Sequence, residues 1–433
     1  MSGISIKAIS AALPGENGVK GTILTGEDLL LEKLGTSKVF TKKKTLDKYK
    51  TLVRRLENKT GIKTRNLLFD TVVKYPNTYL GVLAGKSTLE KAGIDPSKVQ
   101  GFYYGTDTPD FVFPTQGIAV AKLLGIKPIQ IGNSSLACAT LGKSLYEASD
   151  WIDRGLCDNA LILLGDVTSR LRLPHNDLER YIFGDGFVGI FVEKGKGGIT
   201  FTNLGIDNDG SDIFVHNQIY PSQLGFFNSH LQDNFQYNDA GLDILGDIDA
   251  IEYSYGLEDY LNNTGEKIED KTKIVTPQGG KNAIKKGIEI FKANTKIDIT
   301  PNIVENSSYK HGNIGAGAAA LSILEGGVTL NDDIVLASIA GVGGVKTVFE
   351  INPAVNGMKT VRLDKRRERP NYREIIEKTI EELRKKGRKG KFDVSELTMS
   401  DSGEIKFKPI KPGPKQLSTL EKVVRSVSND AAL

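Results

Sequence analysis

The sequence predicts an α/β protein, because short apolar runs alternate with helical patterns over most of its length. Continuous apolar runs are typical of strands buried on both faces, and they occur at residues 102–104, 160–165, 188–192, 334–339 and 347–351. Residues 79–92 and 280–292 lie between such runs and have helical patterns. With 433 residues, 39% of them hydrophobic, the chain is long enough for two or three packed units around a large core.

Charge and cysteine content narrow the class of protein. The net charge of +4 is too small to indicate a nucleic-acid-binding protein. The two cysteines, Cys138 and Cys157, cannot build a disulfide framework, so a reducing compartment and a cytoplasmic location are expected. The first residues lack the pattern of a signal peptide, and no run of about 18 apolar residues predicts a membrane span. The four histidines lack metal-ligand spacing, so no metal site is expected.

Cys138 is the strongest candidate for a reactive residue. It lies on a small-residue turn after the strand-like run 125–131 and before a helical pattern whose apolar face is Leu141, Leu145, Ala148 and Ile152. Gly155 is placed to end that helix. A cysteine at the positive end of a helix dipole is favoured as thiolate, the nucleophile of thioester chemistry. The alternative is a buried structural cysteine.

Two regions depart from the alternation. Residues 200–260 carry turn chemistry at 207–210 and 232–236, which predicts loops or short elements over a site. After residue 353 a basic run is followed by a predicted helix at 372–386 and an alternating strand at 405–408. This tail either packs on the main body or docks an acidic carrier protein, a membrane or nucleic acid.

Several local strings together resemble one family, the type III ketoacyl-acyl-carrier-protein synthases of the thiolase superfamily. These strings occur in the family's order at residues 60–65, 106–115, 135–139, 183–186, 311–316 and 341–344. The resemblance covers about residues 3–353 and implies a duplicated five-layer αβαβα sandwich. It divides the chain into halves 1–200 and 201–353, followed by a basic C-terminal α+β extension, 354–433. Family members are usually homodimers, and a heterodimer with a homologous ketosynthase is the alternative.

The resemblance also implies roles for individual residues. Cys138 would accept an acyl group from an acyl-CoA or an acyl carrier protein, with coenzyme A or phosphopantetheine as substrate and no bound cofactor. The backbone N–H groups of Cys138 and Gly344 would form the oxyanion hole, and the Asn313 amide would donate to a thioester carbonyl. Phe113, in the segment that reaches the dimer partner, and Gly343 would contact substrate.

The family's catalytic histidine has no counterpart in this sequence. Its place falls on Pro277 or Gln278, and a glutamine can donate a hydrogen bond but cannot act as a base. His311 would enter the same site as Asn313 if the loop were extended, although such residues often only pack. Asp107, in Gly-Thr-Asp-Thr, is similar to the acid/base glutamate of hydroxymethylglutaryl-CoA synthases, with an N-cap or Asx turn before Pro109 as the alternative.

Three functions follow from these residues. The first is an acyltransferase that passes the acyl group from Cys138 to a second substrate, by Claisen condensation or plain transfer, in fatty-acid-like or specialised metabolism. The second is a degenerate partner subunit of a heterodimeric ketosynthase. The third is a hydroxymethylglutaryl-CoA-synthase-like aldol enzyme that uses Asp107. The glycine-rich run 341–346 precedes a strand rather than a helix, which argues against a nucleotide site.

Overall fold

The fold is described from a computed structural model of the 433-residue chain. It describes residues 3–29, 43–68, 73–171, 179–206, 213–215, 239–276, 280–341, 345–365, 367, 368, 370, 374, 378, 381, 385, 394–399 and 405–409. The strands are β1 (Ile4–Ala12), β2 (Thr22–Thr25), β3 (Thr64–Leu67), β4 (Gly101–Gly105), β5 (Gln130–Ser134), β6 (Asn159–Val167), β7 (Asp185–Lys194), β8 (Gly198–Ile206), β9 (Ile213–Val215), β10 (Thr272–Val275), β11 (Ile334–Gly341), β12 (Val345–Asn352), β13 (Gly357–Thr360), β14 (Val394–Met399) and β15 (Ile405–Pro409). The helices are α1 (Lys43–Thr60), α2 (Pro76–Ala92), α3 (Gln116–Leu124), α4 (Thr140–Asp153), α5 (Glu179–Ile182), α6 (Asp239–Thr264), α7 (Lys281–Thr295), α8 (Ser308–His311) and α9 (Ala318–Glu325).

Two five-stranded sheets repeat one pattern. The first has the order β1-β7-β6-β4-β5, with β7 antiparallel to both neighbours and β4 parallel to β5 and β6. In the second, of order β10-β11-β12-β8-β13, β12 is likewise antiparallel to both neighbours and β10 is parallel to β11. The series β8, β12, β11 and β10 thus repeats β1, β7, β6 and β4, so the predicted duplication is confirmed.

Three apolar clusters hold five layers together, and one of them fills both inner interfaces. One packs α2 and α3 on the outer face of the first sheet, through residues such as Leu80 and Phe102. A second joins the two sheets through α4 and α9, with Leu141 and Leu321 fully buried. The third packs α6 and α7 on the outer face of the second sheet. These layers confirm the predicted αβαβα sandwich, whose helices bury one apolar face each while both faces of each sheet are covered.

The C-terminal segment packs on the second half of the chain. β13 pairs with β8, so the second sheet continues beyond residue 353, where the sequence predicts the extension to begin. Arg367 donates to Glu258 at 2.5 Å and lies 4.7 Å from the ring centroid of Tyr255, both on α6. Antiparallel pairing of β14 with β15 and β9 confirms the predicted strand near residue 405. These contacts agree with the interpretation that the tail packs on the main body.

Two predictions about local structure were wrong. The strand before Cys138 begins at Gln130 rather than at residue 125, because Gly125 ends α3 in the left-handed conformation. Residues 239–260 are not loops but most of α6, a 26-residue helix. The turn residues at 207–210 and 232–236 lie outside the described residues, and they end before the helix begins. Among the described residues, no helix is long and apolar enough to cross a membrane.

Candidate active site

Cys138 lies on a sharp turn between β5 and α4. Ala137 has φ +48°, a left-handed conformation that is costly for a residue with a Cβ, and the 3-10 turn Ala137–Ala139 leads directly into α4. The Cys138 side chain is partly exposed, whereas Cys157 is buried. The strand–turn–helix context predicted for Cys138 is confirmed.

Asn313 faces the cysteine. Its side chain is within hydrogen-bonding reach of the Cys138 sulfur, and its Oδ1 accepts the Gly315 N–H at 2.8 Å. Since Oδ1 is occupied by Gly315, the amide NH₂ is the group available to the sulfur. The Asn313 backbone pairs with the segment 182–184, accepting the Gly184 N–H at 3.0 Å and donating to the Ile182 carbonyl at 2.9 Å. The strings at 183–186 and 311–316 therefore meet, and the second brings the Asn313 amide to Cys138.

The end of β11 also reaches the nucleophile turn. A Cβ on Gly341 would lie 2.6 Å from the carbonyl oxygen of Leu136, so only glycine allows this approach. Gly343 and Gly344, predicted to contact substrate and to form the oxyanion hole, lie outside the described residues. Gln278 and Pro277, at the place of the family's histidine, also lie outside them. Their roles remain predictions.

Asp166, at the end of β6, connects the loop after β4 with the loop that follows Asn313 through hydrogen bonds. Its Oδ1 accepts from the hydroxyls of Thr106 and Thr108 and from the Asp107 N–H, at 2.7 to 3.0 Å. Its Oδ2 accepts the Ala316 N–H at 2.8 Å. Burial, followed by the charge of Asp107, raises the pKa of Asp166 to about 8. The sequence analysis missed Asp166, because only the fold brings 106–108 and 315–316 to the end of this strand.

Asp107 contacts the nucleophile turn rather than its own loop. Its Oδ1 accepts the hydroxyl of Ser135 and the N–H of Ala137, the latter at 3.3 Å. The alternative of an N-cap or Asx turn before Pro109 is therefore wrong, since Ser135 and Ala137 lie 28 and 30 residues away from Asp107 along the chain. Burial raises the pKa of Asp107. Its carboxylate supports the strained turn one residue before the nucleophile.

The electrostatics of Cys138 correct the expectation of a resting thiolate. Burial and, after it, the charges of Asp249, Asp107 and Asp166 raise the pKa of Cys138 to about 12, against the lowering effect of Asn313. The start of α4 favours an anion, but desolvation and three carboxylates outweigh it. Cys138 is therefore a thiol at neutral pH, and it has to lose its proton as it reacts.

His311 is bound by three polar partners, Asn66, Glu325 and Glu16, none of which lies on the elements that carry Cys138. Its Nδ1 lies 2.8 Å from Asn66 Oδ1, and its Nε2 lies 2.9 Å from the Glu325 carboxylate. The loop is not extended there, because His311 ends the helical turn α8 and Gly312 has φ +72°. The geometric argument that placed His311 beside Asn313 is therefore wrong. His311 joins α9 to β3 and the loop after β1.

Phe113 lies on the surface. Its side chain is 92% exposed, and nearby Val112 is 62% exposed. Neither residue is part of the turn that carries Cys138. Its predicted contact with substrate therefore requires a partner subunit and remains a prediction. No cluster of His, Cys, Asp and Glu side chains suited to a metal ion occurs in the part of the chain that the structure describes.

Comparisons with known proteins were made by sequence and by fold. No protein-family model matches the chain. It is 30% identical over 158 residues to beta-ketoacyl-[acyl-carrier-protein] synthase III 1 of Bacillus anthracis, a match that covers 36% of this chain and 50% of that protein. It is 24% identical over 298 residues to the beta-ketoacyl-[acyl-carrier-protein] synthase III of Brucella anthropi, covering 65% and 85% respectively. The chain spans about half the length of the first curated relatives it matches.

The solved structures extend the similarity to most of the fold. The 3-oxoacyl-[acyl-carrier-protein] synthase III of Aquifex aeolicus VF5 superposes with a TM-score of 0.61 at 20% identity, covering 81% of this chain and 100% of that chain. AbyA1, a tetronic acid condensing enzyme, gives a TM-score of 0.60 at 20% identity and covers 80% of this chain and 99% of its own. Sequence motifs, strand order and superposition agree. The chain is similar in sequence to the type III beta-ketoacyl-acyl-carrier-protein synthases and has the fold of their solved structures.

Proposed function

We propose that the protein is an acyltransferase of the ketoacyl synthase type. Cys138 takes an acyl group from an acyl-CoA or acyl-carrier-protein thioester and passes it to a second substrate. The observation that carries this proposal is the partly exposed Cys138 on its strained turn, with the Asn313 amide within reach of the sulfur. A nucleophile at the start of a helix, beside an amide donor and backbone N–H groups, is the arrangement that acyl transfer requires.

Plain transfer competes with Claisen condensation for the second step. Condensation with a malonyl thioester needs donors that stabilise an enolate, and the sequence supplies no histidine where the family has one. Within the described residues, the ionisable groups that raise the pKa of Cys138 are the carboxyl groups of Asp249, Asp107 and Asp166, and in their ionised forms they disfavour an anionic substrate beside it. Both observations favour transfer to a neutral or cationic nucleophile.

The experiment is intact-mass spectrometry after incubation with acyl-CoAs from acetyl to dodecanoyl. A mass increase of one acyl group is expected in the wild type and should be absent in Cys138→Ser. Cys157→Ser is the control and should still gain the acyl group, because Cys157 is buried and lies away from the turn. If no thioester acylates the wild type, alone or with acyl carrier protein, the acyltransferase proposal fails. That outcome would favour the non-catalytic partner subunit.

A second measurement separates the reactions. Carbon dioxide release from added malonyl thioester by the acylated protein would show condensation, and its absence together with loss of the acyl group to a nucleophile would show plain transfer. The aldol alternative requires Asp107 as acid/base. Asp107→Asn would then abolish turnover of acetyl-CoA with acetoacetyl-CoA, whereas a purely supporting role predicts acylation that is only slowed.

A homodimer is proposed as the assembly. β5 is the last strand of the first sheet, so one edge lacks a strand partner within the described residues. Large apolar side chains are exposed around this edge: Val112, Phe113, Ile118, Leu123, Ile129 and Ile131. An unpaired apolar strand edge is avoided in stable monomers, and pairing with a second copy would cover it.

A further inference from the structure

We propose that Asp249 is the general base of this site, which takes the proton of the Cys138 thiol during acylation and returns it to the leaving thiol. This inference rests on the proposed function and adds a residue that neither the motifs nor the resemblance indicate. The acylation step needs such a group, because a thiol that attacks a thioester has to lose its proton as the new carbon–sulfur bond forms.

The contacts of α6 place Asp249 at the nucleophile turn. Along one face of this helix, the Tyr260 hydroxyl donates to Glu350, and a Cβ on Gly256 would lie 3.2 Å from Val348. One turn earlier, Glu252 accepts from the Lys346 ammonium at 2.6 Å. Contacts thus move toward the start of β12 as α6 is followed toward its N-terminus. Asp249 precedes Glu252 by three residues and lies on the same face, so the next position it covers is the start of β12, where Val345 pairs with Gly341 at the end of β11.

The end of β11 is in contact with the cysteine loop. Gly341, which pairs with Val345 at the end of β11, would place a Cβ 3.3 Å from the Ala139 nitrogen. The charge of Asp249 is accordingly the largest charge effect on Cys138. Asp249 is partly exposed, and its carboxylate has no hydrogen-bond or ion-pair partner within the described residues. The Asp249 carboxylate can therefore accept a proton, whereas the neighbouring carboxylates already accept hydrogen bonds or form an ion pair.

The other carboxylates near Cys138 and Asp249 already have partners. Asp166 Oδ1 and Oδ2 both accept hydrogen bonds, and Asp107 Oδ1 is bound to the nucleophile turn. On α6 itself, Glu252 is paired with Lys346 of β12. Burial, followed by the charge of Glu252, raises the pKa of Asp249 to about 7, so near neutral pH it is present in part as the basic carboxylate. A base is most effective when its pKa is close to the working pH.

The proposed step is balanced. As the Cys138 sulfur bonds to the thioester carbon, its proton moves to the Asp249 carboxylate. The bond between that carbon and the leaving sulfur then breaks, and the leaving thiolate takes the proton from Asp249. The acyl group ends on Cys138, a free thiol is released, and Asp249 is again a carboxylate. Because the thiol pKa is far above that of Asp249, the proton leaves only as the sulfur–carbon bond forms.

The test compares Asp249→Asn with Asp249→Glu and with Asp247→Asn. Asp247 lies two residues away and pairs with Lys286 at 2.8 Å, outside the site, so it is a matched control. The readouts are the rate of acylation by acyl-CoA between pH 5.5 and 9 and the rate of Cys138 alkylation by iodoacetamide. Asp249→Asn should be acylated at least about 100-fold more slowly than the wild type. Asp249→Glu should recover part of the rate, and Asp247→Asn should keep the wild-type rate.

Two further signatures separate chemistry from structural damage. The wild-type acylation rate should rise with pH through about 7 as Asp249 loses its proton, and this rise should vanish in Asp249→Asn. Alkylation should become faster in Asp249→Asn, because a charge that opposes the thiolate is gone. If the wild type is acylated and Asp249→Asn keeps the same rate or the same pH profile, the proposed role of Asp249 is wrong while the proposed function stands. Absence of acylation in the wild type overturns the proposed function as well.

Discussion

The Asn313 side chain lies within hydrogen-bonding reach of the Cys138 sulfur, while its own Oδ1 is fixed by the Gly315 N–H at 2.8 Å. The two residues are far apart in the chain and belong to different halves of the duplicated fold. Because Gly315 fixes the amide orientation, Asn313 directs its NH₂ group toward the Cys138 sulfur, where negative charge would develop in the proposed acyl transfer.

Asn313→Ala should therefore slow acyl transfer by about 100- to 1,000-fold, as expected when one preorganised donor is lost. Asn313→Asp should be at least as slow, because it removes the donor and adds another carboxylate beside Cys138. Single-turnover kinetics with an acyl-CoA measure both. Asn302→Ala is the control, since its amide donates to backbone carbonyls of Glu269 and Thr272, and it should keep the wild-type rate. Normal rates in Asn313→Ala would contradict the role of this amide.

The reactivity of Cys138 should follow its raised pKa. Alkylation by iodoacetamide requires the thiolate, so its rate should increase about tenfold for each pH unit from 7 to 9.5 without levelling off. An ordinary cysteine, with a pKa of about 8.5, would level off within this range. Peptide mapping of the alkylated residue separates Cys138 from Cys157. A plateau near pH 8 would show that the helix dipole dominates over burial and the carboxylates.

Gly315→Ala should destabilise the protein through both strain and collision. Gly315 has φ +61°, and a Cβ there would lie 1.9 Å from Asp166 Oδ2. We expect a loss of about 2 to 4 kcal/mol in the free energy of unfolding. Gly327→Ala is the matched control, because Gly327 has φ +69° but open space around it, and should lose only about 1 kcal/mol. Urea denaturation measures both, and equal losses would refute the close packing at Asp166.

His311→Ala should reduce stability rather than chemistry. It leaves the buried Asn66 Oδ1 without the imidazole partner at 2.8 Å, which costs about 1 to 3 kcal/mol. The acylation rate of the folded fraction should stay within a factor of about 3, since both ring nitrogens point to Asn66 and Glu325. A 100-fold slower acylation by a folded His311→Ala protein would restore the catalytic hypothesis for this histidine.

Ile131→Lys should separate the proposed dimer. Ile131 is 48% exposed on β5, and a charge there opposes burial of the edge against a second copy. Light scattering coupled to gel filtration should give the mass of two chains for the wild type and of one chain for the variant. Ile297→Lys, also at an exposed isoleucine but in the loop after α7, should leave the mass unchanged. A monomeric wild type would disprove the homodimer.

Much of this protein was determined by the sequence alone. The apolar runs at 160–165, 188–192 and 334–339 became central strands, because a segment that is apolar on both sides is stable only between two covered faces. The face formed by Leu141, Leu145 and Ile152 became the buried side of α4. The small-residue string around Cys138 likewise encoded its turn, although the left-handed Ala137 had no signal in the sequence.

Only the tertiary structure decided the electrostatics and the partners of the site. No sequence motif marked Asp166 or Asp249, because the properties of a single carboxylate depend on the burial and the neighbours that the fold supplies. Long-range contacts likewise determine that His311 binds Asn66 and Glu325 and that Asp107 binds the nucleophile turn. Local sequence determines which groups are present and how the chain turns beside them, whereas distances between segments, and hence charge interactions, arise only once the two sheets pack around α4.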